Sequence, residues 1–318
     1  VLREALLGTV ATLLFFLAVA LMPLAGVFVG FFTPLPMLLF SYRWGPAAGF
    51  GLAGGTALAG GVLLAFLNLT SSIPLFSGLV LLGIMLALGM RSDWSPEKTI
   101  GLSSLVLFGL GGAVFLFSHE NIDQRLFSIL EQELIDVIGA TLRQQGKATP
   151  EILLLEEALK SIVPMMVRLI PGIAASTTLM TSWLNVLVAL RMISLRRLSM
   201  PPWRDWSLWK APELLVWLVI AAGFMLLVPI ESFNLLGMNA LLVLGTVYLF
   251  QGLAVVSFYF DRWKLPRIFR GMLYALFLLQ QFLTLGVALM GLFDTWFDFR
   301  RLIRKPSSSN DYDEEDEE

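Results

Sequence analysis

Seven stretches of this sequence contain no Asp, Glu, Lys or Arg: Ala5–Tyr42, Trp44–Met90, Thr99–Ser118, Leu169–Leu190, Leu214–Ile230, Ser232–Phe260 and Gly271–Phe293. About 20 apolar residues in a helix cross the hydrocarbon core of a bilayer, so these runs hold roughly nine spans. The chain is 57% hydrophobic and 14% charged, with a mean hydropathy of +0.79. A soluble domain of this length could not hide so much apolar surface. The alternating pattern of a membrane barrel is absent, so the runs read as helices. The expected fold is all-α, a polytopic transmembrane helical bundle of about eight to nine spans.

Within that bundle the stretch Pro34–Gly61 is expected to be central. Positions 45, 49, 53, 57 and 61 are Gly, Gly, Ala, Ala and Gly, and positions 47, 51, 55 and 59 are Ala, Gly, Gly and Ala. At helical spacing these make two small-residue stripes, which let neighbouring backbones approach closely in lipid. The helix from Pro46 therefore reads as a buried central span. The span before it, Val27–Phe40, contains Pro34 and Pro36, and part of it is expected to be irregular backbone shielded by protein. Ser95-Pro96-Glu97 reads as a helix start, with Ser as cap and Pro at the first position. Ala18-Val19-Ala20 has the look of a cleavage site, but the apolar run continues past it, so an uncleaved first helix is expected.

The long polar insertion is 119–168, with eight acidic residues against five Lys and Arg. Leu126, Leu130, Leu134 and Ile138 recur every fourth residue, one face of an amphipathic helix. A second such helix is expected from Glu151, bending near Pro164 and passing into the sixth span near Pro171. The organisation is read as one integral membrane domain over 1–305. It comprises a six-helix core (1–190), further helices (191–305) and an acidic tail (306–318) expected to be disordered.

Lys and Arg near span ends set the expected orientation. Arg191, Arg196, Arg197, Arg204 and Lys210 face Asp205 alone, and Arg262, Lys264, Arg267 and Arg270 face Asp261 alone. Both loops read as cytoplasmic, with the N-terminus inside and the acidic insertion outside. Nine spans then place the C-terminus outside, against Arg300, Arg301, Arg304 and Lys305. An even count with the tail inside is the competing arrangement, and both stay open at this level.

No cysteine and a single histidine remove disulfides, thiolate chemistry, iron–sulfur clusters and His-rich metal sites. No nucleophile or acid–base set assembles, so the chain reads as non-enzymatic, with no cofactor and no nucleic-acid partner. Several polar residues remain as candidates. Arg43, alone between two charge-free runs, is either a headgroup anchor or a fixed contact to a helix end or partner. His119-Glu120 reads as an interfacial pair. Arg168 lies between Pro164 and Pro171 and is either structural or an anion or carboxylate contact. Ser176, Thr177, Thr178, Thr181, Ser182, Trp183 and Asn185 form a polar cluster in the sixth span, bonding neighbouring helices or lining a pocket. Tyr248 and Gln251, with Gln280, Gln281 and Thr284, are expected to satisfy one another between the last two spans. Asp294 and Asp298 are expected to pair with Arg301 and its neighbours at helical spacing.

Three stretches together, PLPMLLFSYRWGPAAG, YLFQGLAVVSFYFDRWKLP and GLFDTWFDFRR, resemble the YybS-like family of predicted bacterial membrane proteins, a domain of unknown function. The matching positions are Pro34, Pro36, Arg43, Gly45 and Gly49, then Tyr248, Gln251 and Gly252, then Gly291, Asp294, Trp296, Asp298 and Arg300. That family is similar to the substrate-binding S components of energy-coupling-factor transporters, whose pocket opens outward. The resemblance implies an S-component-like first six helices. It also implies a small-solute-binding or transport component of the bacterial inner membrane, with Arg168, Thr178, Trp183 and Asn185 as candidate ligand contacts. The same layout resembles the cell-shape protein MreD, which implies a non-catalytic membrane scaffold in an envelope complex. The expected partners are the bilayer and either a small solute or another membrane protein.

Overall fold

The computed structural model describes residues 1–118, 131–140, 150–203 and 205–301. Their regular structure is all helical, with no strand among the described residues. The helices are α1 (Leu2–Leu21), α2 (Pro23–Gly30), α3 (Leu35–Trp44), α4 (Pro46–Phe66), α5 (Ile73–Arg91), α6 (Pro96–Ser118), α7 (131–140), α8 (Pro150–Arg168), α9 (Ile170–Leu195), α10 (Leu214–Leu227), α11 (Glu231–Arg262), α12 (Arg267–Leu279) and α13 (Gln281–Phe297). Proline sits in the first turn of α2, α3, α4, α5, α6, α8 and α9. There its missing N–H costs nothing and its fixed φ favours the helix. Ser95 accepts a hydrogen bond from the Lys98 amide at the start of α6, as the sequence predicts. His119-Glu120, Leu126, Leu130 and the acidic tail lie outside the described residues.

Six helices among the described residues are long and apolar enough to cross a bilayer, or seven if the bent pair α12–α13 counts as one. The bundle is confirmed. The 23-residue α6 covers the fifth expected span although it is not among these six, and two further expected spans depart from a single full-length helix. The 14 residues of α10 rise only about 21 Å. The last expected span, Gly271–Phe293, is not a single helix: the chain leaves helical geometry at Gln280 and turns by 101°.

The chain divides into two compact units. The first comprises Val1–Trp203 and Ala222–Val243, and the second Arg204–Ala221 and Leu244–Glu318. The centre of the first unit is α5, whose Phe76, Val80, Ile84, Leu86 and Met90 are buried. Phe76 packs edge-on to Phe16 at 5.0 Å between ring centroids and fills the space a side chain at Gly60 would need. Gly83 lets α5 approach the Pro34 carbonyl, where a Cβ would strike backbone.

The small-residue helix α4 is not the central span that its two stripes suggest. Gly49, Ala53, Thr56, Gly60 and Leu64 form its one buried face. Ala47, Gly51, Gly55 and Ala59 are exposed, and a Cβ on Gly51 or Gly55 would meet open space. One stripe suffices for close approach to α3 and α5, so the second is left uncovered. Gly45, with φ +94°, makes the turn from α3 into α4.

In the second unit, α11 crosses α13 at Gly252 and Gly291. A Cβ on Gly252 would strike the Val287 carbonyl, and one on Gly291 the Tyr248 carbonyl. Arg270, in the first turn of α12, pairs with Asp261 and donates to the carbonyls of Leu265 and Phe260. At the far end of α13, the Tyr259 hydroxyl donates to the Phe299 carbonyl at 3.0 Å. Both ends of the α12–α13 pair thus meet the last turn of α11, so the pair leaves that end and returns to it. The outer face of α12 (Ile268, Phe269, Met272, Leu276 and Leu279) is apolar and uncovered, as in a helix lying against lipid.

Candidate functional site

The sixth-span cluster lies on α9 and divides by face. Ser182 donates to the Thr178 carbonyl and meets Ser104 of α6 at 2.8 Å. Asn185 is fully buried and donates to the carbonyls of Phe31 (2.7 Å) and Thr181 (2.7 Å). Phe31 belongs to the four-residue interruption between α2 and α3, where helical hydrogen bonding lapses within one continuous apolar span. A carbonyl freed in the membrane interior must find a donor, and Asn185 supplies it. Thr33 repairs the same break by donating to the Gly30 carbonyl at 2.7 Å. Trp183 is buried beside this face.

The other face of α9 borders a cavity of about 1100 Å³ in the first unit. Thr177, Thr178 and Thr181 line it from α9, and Gly30, Phe31 and Thr33 from the α2–α3 break. Ser71 and Ser72 approach it from the short turn before α5, Ser77 from α5 itself, and Phe108, Gly111 and Val114 from α6. Among the described residues no Asp, Glu, Lys, Arg or His lines it. Among the ligand contacts expected from the sequence, Thr178 reaches this cavity; Trp183 and Asn185 sit behind its wall; Arg168 lies elsewhere. The Thr178 hydroxyl donates to the Ala174 carbonyl at 2.8 Å, leaving its lone pairs for a guest.

Arg168, at the end of α8, forms an ion pair with Glu231, both largely exposed. The sequence reading missed Asn239 beside it. Asn239 accepts from the Gly172 amide at 2.6 Å and donates to the Arg168 carbonyl at 3.2 Å, closing the α8–α9 break from α11. A lone amide within an apolar run was the available signal.

The cavity lies at one end of the first unit, among the last turns of α1 and α6 and the first turns of α5 and α9. Apart from the Arg168–Glu231 pair beside the start of α9, the charged contacts of this unit gather at the other end. Arg43 pairs with Glu4 at 2.5 Å, and Trp44 donates to the same carboxylate at 2.8 Å. Arg91 donates to the Tyr42 carbonyl at 2.5 Å, the Tyr42 hydroxyl to Ser199, and the Trp203 indole to the Trp94 carbonyl. Arg43 is therefore fixed to a helix end, one of the two readings the sequence left open. Pro34 and Pro36 open α3, and Gly49 packs where a Cβ would strike Ser41.

The remaining motif residues meet in the second unit. Arg300 reaches the Asp294 carboxylate at 2.6 Å and donates to the carbonyls of Ser207 (2.8 Å) and Trp209 (3.1 Å). Gln251 donates to Asp294 at 3.2 Å and accepts from the Ala211 amide at 3.1 Å. The partner of Gln251 is thus Asp294. Gln280 and Gln281 are exposed, and Thr284 donates across the α12–α13 bend to the Phe277 carbonyl, so the expected pairing of these groups with Gln251 and Tyr248 does not form. Asp294 pairs six residues on, outside helical spacing, whereas Asp298 pairs with Arg301 at 2.7 Å and with Lys210 at 3.0 Å. Trp296 is exposed. Among the described residues, no three His, Asp or Glu side chains converge to hold a metal.

These features define a polytopic helical membrane protein with a neutral cavity and a separate buried ion pair. The chain belongs to the predicted membrane protein family DUF2232, whose family model matches residues 10–295. No curated protein and no solved structure matches it.

Proposed function

We propose that this chain is a solute-binding component of the bacterial inner membrane, S-component-like in its first six helices. The supporting observation is the cavity on α9: large enough for a small molecule, bordered by a broken helix and lined, among the described residues, by apolar groups and several hydroxyls without a charge. Broken helices next to a cavity recur where membrane transporters bind substrate. A charged solute would lose its hydration without a counter-charge, so the guest is neutral and mainly apolar, with a few groups that meet Thr177, Thr178 and Thr181. The positive-inside rule places the arginine-rich end and the N-terminus in the cytoplasm, and the cavity then opens outward. The YybS-like resemblance agrees with this layout.

Mild detergent extraction followed by mass spectrometry of retained small molecules and co-purifying proteins tests the proposal. A neutral metabolite retained near one per chain supports it. A preparation retaining no small molecule but a stoichiometric envelope protein favours the second reading, a non-catalytic scaffold. That reading draws on the exposed face of Ala47, Gly51, Gly55 and Ala59 on α4, where a partner helix could close-pack.

A further inference from the structure

A second groove lies at the opposite, arginine-rich end of the first unit. Its volume is about 700 Å³, and α1, α3 and α9 form its walls. Leu7, Ala11, Phe15, Leu35 and Leu39 give it an apolar floor, while Arg3, Arg43 and Arg196 stand at its mouth with Glu4. Three positive charges face one negative charge, and that carboxylate is already engaged by Arg43 and the Trp44 indole. Arg3 and Arg196 have no ion pair among the described residues.

We propose that this groove holds one anionic phospholipid, its phosphate between Arg3 and Arg196 and an acyl chain along α1. The amphiphilic shape decides the occupant. A free anion would use the mouth and leave the floor bare, and a zwitterionic lipid would gain little from two arginines that form no ion pair. From Arg3 to Phe15 the groove follows α1 for about 18 Å, enough for much of an acyl chain. Basic pockets between helices near the cytoplasmic surface select anionic headgroups for this reason. Glu4 then acts as the orienting group: it holds Arg43 at the wall and leaves the outer two guanidinium groups for the lipid.

Titrations of the full chain in mild detergent test this, read by the rise in unfolding temperature. The probes are phosphatidylglycerol, phosphatidylcholine with the same acyl chains, and inorganic phosphate. The wild type is expected to bind phosphatidylglycerol about thirtyfold more tightly than phosphatidylcholine, the size expected for two near-surface arginines. Inorganic phosphate should not compete. The double variant Arg3→Gln/Arg196→Gln should lose the preference. Ala11→Phe keeps every charge but blocks the floor; it should lose phosphatidylglycerol binding and decides the matter if the double variant fails to fold. Equal binding of both lipids, a preference retained in either variant, or displacement by phosphate would each overturn the proposal.

Discussion

Asp294 and Arg300 form a buried ion pair, 2.6 Å between Oδ2 and Nη2, with both side chains withdrawn almost completely from the surface. Such a pair is stable only when its remaining donors and acceptors are also met. Here all but one are met, by Gln251, the Phe299 amide and the carbonyls of Ser207 and Trp209; the Arg300 Nε–H is buried without a partner among the described residues. Removing one partner strands the other charge. Asp294→Asn or Arg300→Gln should each destabilise the second unit by about 3–5 kcal/mol. The double substitution should cost clearly less than the sum. A double-mutant cycle by thermal unfolding measures this, and strict additivity would dissolve the pair as a unit.

The crossing of α11 and α13 gives a second prediction. Gly252→Ala and Gly291→Ala each drive a methyl into backbone carbonyls, which cannot give way as a flexible side chain can. Gly286→Ala, on the same helix, meets open space. The first two should lose well over 1 kcal/mol of stability. The third should be neutral or slightly stabilising, because Ala is the better helix former. Unfolding midpoints of the three variants compare them directly.

Asn239 should matter more than the ion pair beside it. Asn239→Leu leaves the Gly172 amide and the Arg168 carbonyl without their partner at a helix break in the membrane, at a cost of about 1–3 kcal/mol. Arg168→Gln removes an exposed pair with Glu231 and should cost no more than about 1 kcal/mol. Thermal unfolding of both variants gives the order, and the reverse order would refute the reading of this joint.

The return of α13 to the end of α11 predicts sidedness. The chain contains no cysteine, so single replacements report cleanly. Arg267→Cys and Arg301→Cys should react with an impermeant thiol reagent from the same side of oriented membranes. Labelling from opposite sides would make α12–α13 one crossing span.

The charge-free runs made the helical bundle legible, because each bilayer crossing excludes unpaired charge whatever the side chains do next. Breaks within an apolar run are less visible. Pro34 and Pro36 marked the first one, but nothing marked Gln280, since average hydropathy does not register a change in backbone angle. The stripes on α4 showed which faces could pack closely, not which would be covered. Arg43 and Thr178 could be singled out, yet the partner of Arg43 lay 39 positions away at Glu4. Asp294 looked like a helix-surface acid because its partner six residues on becomes a neighbour only after α13 ends. Trp183 and Asn185 shared a helix with the cavity-lining threonines, and only the rotation of α9 separated the packing face from the lining one.

The most direct test of the cavity compares the small molecules retained by the wild type with those retained by Thr178→Trp. Both are extracted in the same mild detergent and checked for equal elution and unfolding temperature. Thr178 lines the cavity without holding any other helix, so the bulky side chain fills space and leaves the bundle intact. The account predicts a neutral molecule near one per chain in the wild type and its loss from the variant. The same molecule at the same amount in both, or none in either, would contradict it.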